Sequence, residues 1–216
     1  MERKELSTKP NFIVNKDLNT VFFCLVFKAP YRLEDIGKID VLRQYLFNYS
    51  KECPDESKFR YAMIKYLVIH FTLRYREAGE NTYIYIRFSL PKDKIIEGYH
   101  FEESLDFISR TLFDPFLVNG KFERERFNRE KDFLYRGAIE TTPSIYTVSF
   151  NRVIELLDPK EEIFVKKSTY VEALKKTTEE NCYTYYNTWI KENECVSYVY
   201  GNFEEEKMEK WMKTYF

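Results

Sequence analysis

Two histidines, four cysteines and a dense set of carboxylates are the groups in this 216-residue chain with the means to do chemistry. His100-Phe101-Glu102-Glu103-Ser104 begins like H-x-x-E-H, a spacing that puts two imidazoles on one helical face around a zinc ion, with the glutamate as general base. Its last position is Ser104, so a metal site would have to join His100 and Glu103 to His70 from a distant segment. The plainer reading is favoured: His100 is a polar residue near a helix start, and His70 is one strand residue among aromatics. Cys24, Cys53, Cys182 and Cys195 have neither CxxC spacing nor a recognisable nucleophile context, so reduced cytosolic thiols account for them. The six glycines form no G-x-G-x-x-G and no phosphate-binding loop. Glu102-Glu103, Glu204-Glu205-Glu206 and the Glu123–Arg129 cluster read as solvated charged faces.

Composition narrows the classes. Hydrophobic residues make up 44% and charged residues 32%, the balance of an ordinary globular protein. A net charge of -1 argues against nucleic acid, whose binding draws on neutralised phosphates. No apolar run approaches the roughly 20 residues that span a bilayer, and the first ten residues lack the apolar stretch of a signal peptide. The expected setting is cytoplasmic, away from membranes.

The elements that must position these groups follow from apolar period and punctuation. Residues 1–11 are polar and expected to be flexible, with a single domain over 12–216. Asn19–Lys28 is a nearly continuous β-rich apolar run, expected as a strand buried on both faces. Ile36–Tyr49 and a segment carrying Phe59, Met63 and Leu67 have helical spacing. Val68–Arg76 and Thr82–Leu90, joined around Ala78-Gly79-Glu80-Asn81, form a hairpin. A helix up to Phe113 stops at Asp114-Pro115, and Asn119-Gly120 supplies a loop. Two amphipathic helices follow. The first turns Phe122, Phe127, Leu134 and Ala138 inward, and the second, capped at Thr142-Pro143, does the same with Tyr146, Phe150, Val153 and Leu157 before Asp158-Pro159 ends it. Short helices at Tyr170–Lys175 and from Thr178, a strand Val196–Tyr200 and a closing helix Glu204–Phe216 complete the chain. The order predicts an α+β domain, a mixed or antiparallel sheet with helices on one face.

The ordered pieces Leu112-Phe113-Asp114-Pro115-Phe116, Phe122 to Glu130-Lys131, Leu156-Leu157-Asp158-Pro159 and Val199-Tyr200-Gly201-Asn202 resemble the central and closing segments of the pitrilysin/insulinase family of zinc peptidases. The resemblance runs over about residues 12–216 and implies one pitrilysin-type half-domain. It also implies H-x-x-E-H on the first helix, with a distant glutamate as the last zinc ligand. By order, and by Gly37 ahead of the helix, the equivalent stretch is Asp40-Val41-Leu42-Arg43-Gln44, and the distant glutamate falls at Gly137. Asp40, Arg43, Gln44 and Gly137 thus replace every chemical position, and an arginine cannot act as the base.

The expectation is therefore a catalytically silent, peptidase-like subunit that binds no cofactor itself. Its zinc-bearing, pitrilysin-type partner in a hetero-oligomer, or a second copy in a homodimer, would help it enclose a peptide substrate such as a precursor or leader peptide. The alternatives are a scaffold without peptidase role, or a hydrolase built on His70 and His100.

Overall fold

The computed structural model describes residues 9–142, 144–157 and 166–216. Five strands form the main sheet: β1 (Asn11–Val14), β2 (Thr20–Pro30), β3 (His70–Ala78), β4 (Asn81–Pro91) and β7 (Cys195–Gly201). Their order is β1-β7-β2-β4-β3. β1 runs parallel to β7 and every other pair is antiparallel, so the sheet is mixed. Between Leu117–Val118 (β5) and Lys121–Phe122 (β6) a separate two-stranded ribbon turns on Asn119 and Gly120, both at positive φ (52° and 74°). That is what a two-residue hairpin demands, so the expected loop is a tight turn.

Eight helices follow the expected order: α1 (Ile36–Leu46), α2 (Glu56–Lys65), α3 (Phe101–Phe113), α4 (Arg124–Glu140), α5 (Ile145–Leu157), α6 (Lys167–Lys176), α7 (Glu179–Glu192) and α8 (Glu205–Tyr215). The starts of α2, α4, α5 and α7 are set by side chains that satisfy the first free N–H groups. Asp55 accepts from Lys58 N–H at 2.9 Å to open α2, and Thr178 and Asn181 form a reciprocal capping box on α7. The cap of α5 is Ser144 rather than Thr142, since Ser144 Oγ accepts from Thr147 N–H at 3.1 Å. Leu67 lies beyond α2, at φ 49°, and takes no part in that helix. Residues 1–8, Pro143 and Asp158-Pro159 lie outside the described residues.

One face of the sheet builds the core. Val21, Phe23, Leu25 and Phe27 of β2 alternate with exposed or half-buried Phe22, Cys24, Val26 and Lys28. The expectation of a strand buried on both faces is thus corrected: the helices that meet the sheet pack on one side, so only every second residue is covered. Against that side lie Ile39, Leu42 and Leu46 of α1, Phe101, Leu105 and Ile108 of α3, Trp189 of α7 and Met212 of α8. Gly37 lets α1 and α6 approach, because a Cβ there would come within 2.8 Å of the Ala173 backbone. A second correction concerns α5. Tyr146, Phe150 and Val153, expected inward, are 77%, 41% and 51% exposed, because no described element covers that helix face.

Candidate functional site

α1 carries three of the positions where the resemblance puts zinc chemistry, and the fold turns them into a closed ionic cluster. Asp40 is buried. Its carboxylate takes Arg43 Nη2 at 3.2 Å one turn along the helix and the Tyr170 hydroxyl of α6 at 2.8 Å. Burial pushes the Asp40 pKa above the usual carboxylate range, while Arg43 and the Tyr170 hydrogen bond pull it back. Tyr170 and Tyr75 of β3 are driven well above the ordinary phenol range, first by burial and then by the field of Asp40. Asp40, Arg43 and Tyr170 are thus joined to one another, with Tyr75 in their field. Neither a free base nor a second anionic donor stands there.

The remaining family positions add nothing to coordination. Gln44 is a half-buried amide on α1, and Gly137 is exposed on α4 with open space where a side chain would begin. Asp40, Arg43, Gln44 and Gly137 therefore do not fit a zinc ion, which needs three or four neutral or anionic donors around one point. Among the described residues no three His, Cys, Asp or Glu side chains gather closely enough to hold a metal. The alternative trio His70, His100 and Glu103 is not brought together, for a topological reason. His70 begins β3 on the sheet face turned away from the helices, whereas His100 caps α3 and Glu103 lies in its first turn, on the helical side.

The sequence reading missed a neighbouring group. Glu130 of α4 is buried, although its charged surroundings suggested a solvent face. Tyr49 donates its hydroxyl to Glu130 Oε1 at 2.6 Å, Asn48 Nδ2 donates to Oε2 at 3.2 Å, and Arg129 donates in turn to the Tyr49 oxygen. Burial and the adjacent Glu130 push Tyr49 up to about 12. The signal was present in the spacing, because Glu130 falls at i+3 from Phe127 and i+4 before Leu134 on the inward stripe.

The cysteines form no nucleophile. Cys24, Cys53 and Cys182 are thiols that burial pushes above the ordinary thiol range. Among the described residues the sheet has two open edges, β1 with four residues and β3 with nine. β3 is the longer, and its Tyr75 sits within the field of Asp40 and Arg43. A strand edge therefore passes beside the α1 cluster.

No protein-family sequence model and no curated protein matches this chain at a significant level. Solved structures do match. A conserved protein from Enterococcus faecalis V583 superposes with a TM-score of 0.82 at 20% identity, over 94% of this chain and 48% of that one. The first half of the periplasmic protease PqqL from Escherichia coli gives 0.67 at 13% identity, over 98% and 44%. A protease from Helicobacter pylori gives 0.64 at 11% identity, over 100% and 49%. The chain spans about half the length of these structures. At such identities the likeness speaks for the fold alone, an α+β fold that this chain shares with about half of each of these structures.

Proposed function

We propose that this chain is a peptidase-like unit without a hydrolytic centre of its own, which pairs with a zinc-bearing partner to enclose and hold a peptide substrate. The observation that carries the reading is the α1 cluster. Where the family resemblance would put a metal and its base, this chain has Asp40, neutralised by Arg43 and bonded to Tyr170. Such a site can position neighbours but cannot activate water.

Holding a peptide asks less of the side chains. The nine-residue edge of β3 offers unpaired main-chain donors and acceptors to an extended segment, a mode that gives affinity with little sequence demand. Precursor or leader peptides are the substrate class in this reading. Pairing is supported by α5, on which Ile145, Tyr146, Val148 and Leu156 are 55–86% exposed, more apolar surface than a solvated helix needs. The thiols suit a reducing compartment.

The test is mild affinity purification of the tagged protein from its native cells, with co-purifying chains identified by mass and metal content measured on the bait alone. A stoichiometric companion carrying H-x-x-E-H, with a metal-free bait, is the expected result. A lone monomeric bait would sink the proposal and leave a scaffold. Stoichiometric zinc in the bait, with hydrolysis lost in His100→Ala, would make the chain an enzyme.

A further inference from the structure

Among the described residues the sheet face turned away from the helices is uncovered, and its side chains are mostly aromatic, apolar or basic. At the β1-β7-β2 end stand Ile13, Phe22, Tyr198 and Tyr200, between 39% and 58% exposed, with Phe22 stacked on Tyr200 at 6.0 Å. At the β4-β3 end stand Arg74, Arg76 and Arg87, all exposed. No outward position on any of the five strands is Asp or Glu, although acids and bases are nearly equal in the chain as a whole (35 against 34). Among the described residues Arg74 and Arg76 make no ion pair, and Arg87 lies over the Tyr85 ring at 5.3 Å.

Between the two ends runs an open groove of about 520 Å³. Ser89 lines it, opposite Phe22 on one side and His70 on the other. This serine is 1% exposed, and its hydroxyl has no hydrogen-bond partner. Buried hydroxyls are ordinarily paired, so an orphan at the floor of a groove asks for a partner from outside the chain. The groove thus combines two guanidinium groups with no carboxylate partner among the described residues, an unsatisfied hydroxyl and an aromatic wall.

We infer that this face seats an acidic peptide segment, its carboxylates on Arg74, Arg76 and Arg87 and an aromatic or branched apolar side chain against Phe22, Tyr198 and Tyr200. The inference rests on the peptide-holding reading above and names the class of peptide. Charge complementarity selects the occupant. Arginine forks bind carboxylates in pairs of parallel hydrogen bonds. A single-stranded nucleic acid would match worse, because it carries a charge on every nucleotide. The aromatic end lies one to three strands from the guanidinium groups, roughly 5–14 Å at the usual strand spacing, and Ile13, Phe22, Tyr198 and Tyr200 there offer phosphates no counter-charge. A peptide can be acidic at one end and apolar at the other.

The experiment uses the whole chain and a fluorescein-labelled peptide, Glu-Glu-Glu-Gly-Leu-Phe, read by fluorescence anisotropy at low and high salt. Controls are the same peptide with lysines for glutamates and a short thymidine oligonucleotide. The expected result is salt-sensitive binding of the acidic peptide, at least about tenfold tighter than the lysine peptide, a difference of about 1.4 kcal/mol. Arg74→Glu with Arg76→Glu weakens it about tenfold or more, and Phe22→Ser weakens it at unchanged salt dependence. These side chains are exposed, and unchanged thermal unfolding of each variant confirms an intact fold. Binding that ignores peptide charge, or survives the double arginine exchange, overturns this inference and leaves peptide holding intact. Preference for the oligonucleotide overturns it, as does self-association abolished by Phe22→Ser, which would make a second copy the cover. A chain that binds neither peptide overturns both readings.

Discussion

Glu130 shows how far one side chain can depart from its neighbours. It sits in a run of arginines and glutamates yet is 7% exposed, with both carboxylate oxygens engaged by Tyr49 and Asn48. Removing it in Glu130→Ala leaves the buried Tyr49 hydroxyl without its acceptor, at an expected cost of about 1–3 kcal/mol. Glu130→Gln keeps an acceptor oxygen of the same reach and is expected to cost less. Urea denaturation should show the alanine midpoint falling further than the glutamine one at unchanged slope. Equal midpoints for all three proteins would mean that the hydrogen bonds contribute nothing. This residue was missed because local composition outweighed a single position of helical phase. Asp40, Arg43 and Gln44 were placed by their order on the first helix, and sequence could say that an arginine is no base. It could not say that Tyr170, far along the chain, would occupy the same carboxylate.

At the scale of elements, apolar period was legible and its cover was not. α4 and α5 carry similar stripes, yet Phe127 of α4 is wholly buried while Tyr146 of α5 is 77% exposed. Periodicity states which residues share a helix face, and only the tertiary arrangement decides whether another element lies over it. The two helices should therefore respond oppositely to substitution. Phe127→Ala empties a core position and is expected to destabilise by about 3–5 kcal/mol. Tyr146→Lys with Val153→Lys is expected to stay within about 0.5 kcal/mol of the parent, since it alters exposed surface alone. The same double exchange, used as bait, should recover less of any partner that covers α5. Equal destabilisation by both changes in urea titrations would mean that α5 is part of the core of the isolated chain. β2 teaches the same lesson, because an unbroken apolar run gave no hint that Phe22 and Lys28 face outward.

Several tyrosines lie in or against the core of the molecule, and this makes its stability depend on alkali in a definite sense. Helix order, hairpin and turn chemistry were readable along the chain, but the pairing of β1 with β7 was not. Four residues carry too little pattern to announce a parallel edge strand whose partner lies at the other end of the sequence. Long-range closure of that kind packs phenols from distant segments together. Tyr49 and Tyr99 are pushed up to about 12, with burial as the leading cause, and Tyr45, Tyr170, Tyr185 and Tyr186 are pushed higher still. In the unfolded chain these phenols ionise near 10. Below that pH both states hold their protons and the contribution to stability is fully present. As pH rises from about 10 towards 12 the unfolded state loses protons first, so stability falls across that window. The urea midpoint is expected to be level between about pH 8 and 9 and to drop steeply above 10. Tyr49→Phe, which removes one titrating phenol and leaves the ring, should make the drop shallower. A midpoint that holds steady through about pH 11 would mean that these hydroxyls reach water in the folded state, and that the α1–α4–α6 assembly around Asp40 and Glu130 is looser than its hydrogen bonds require.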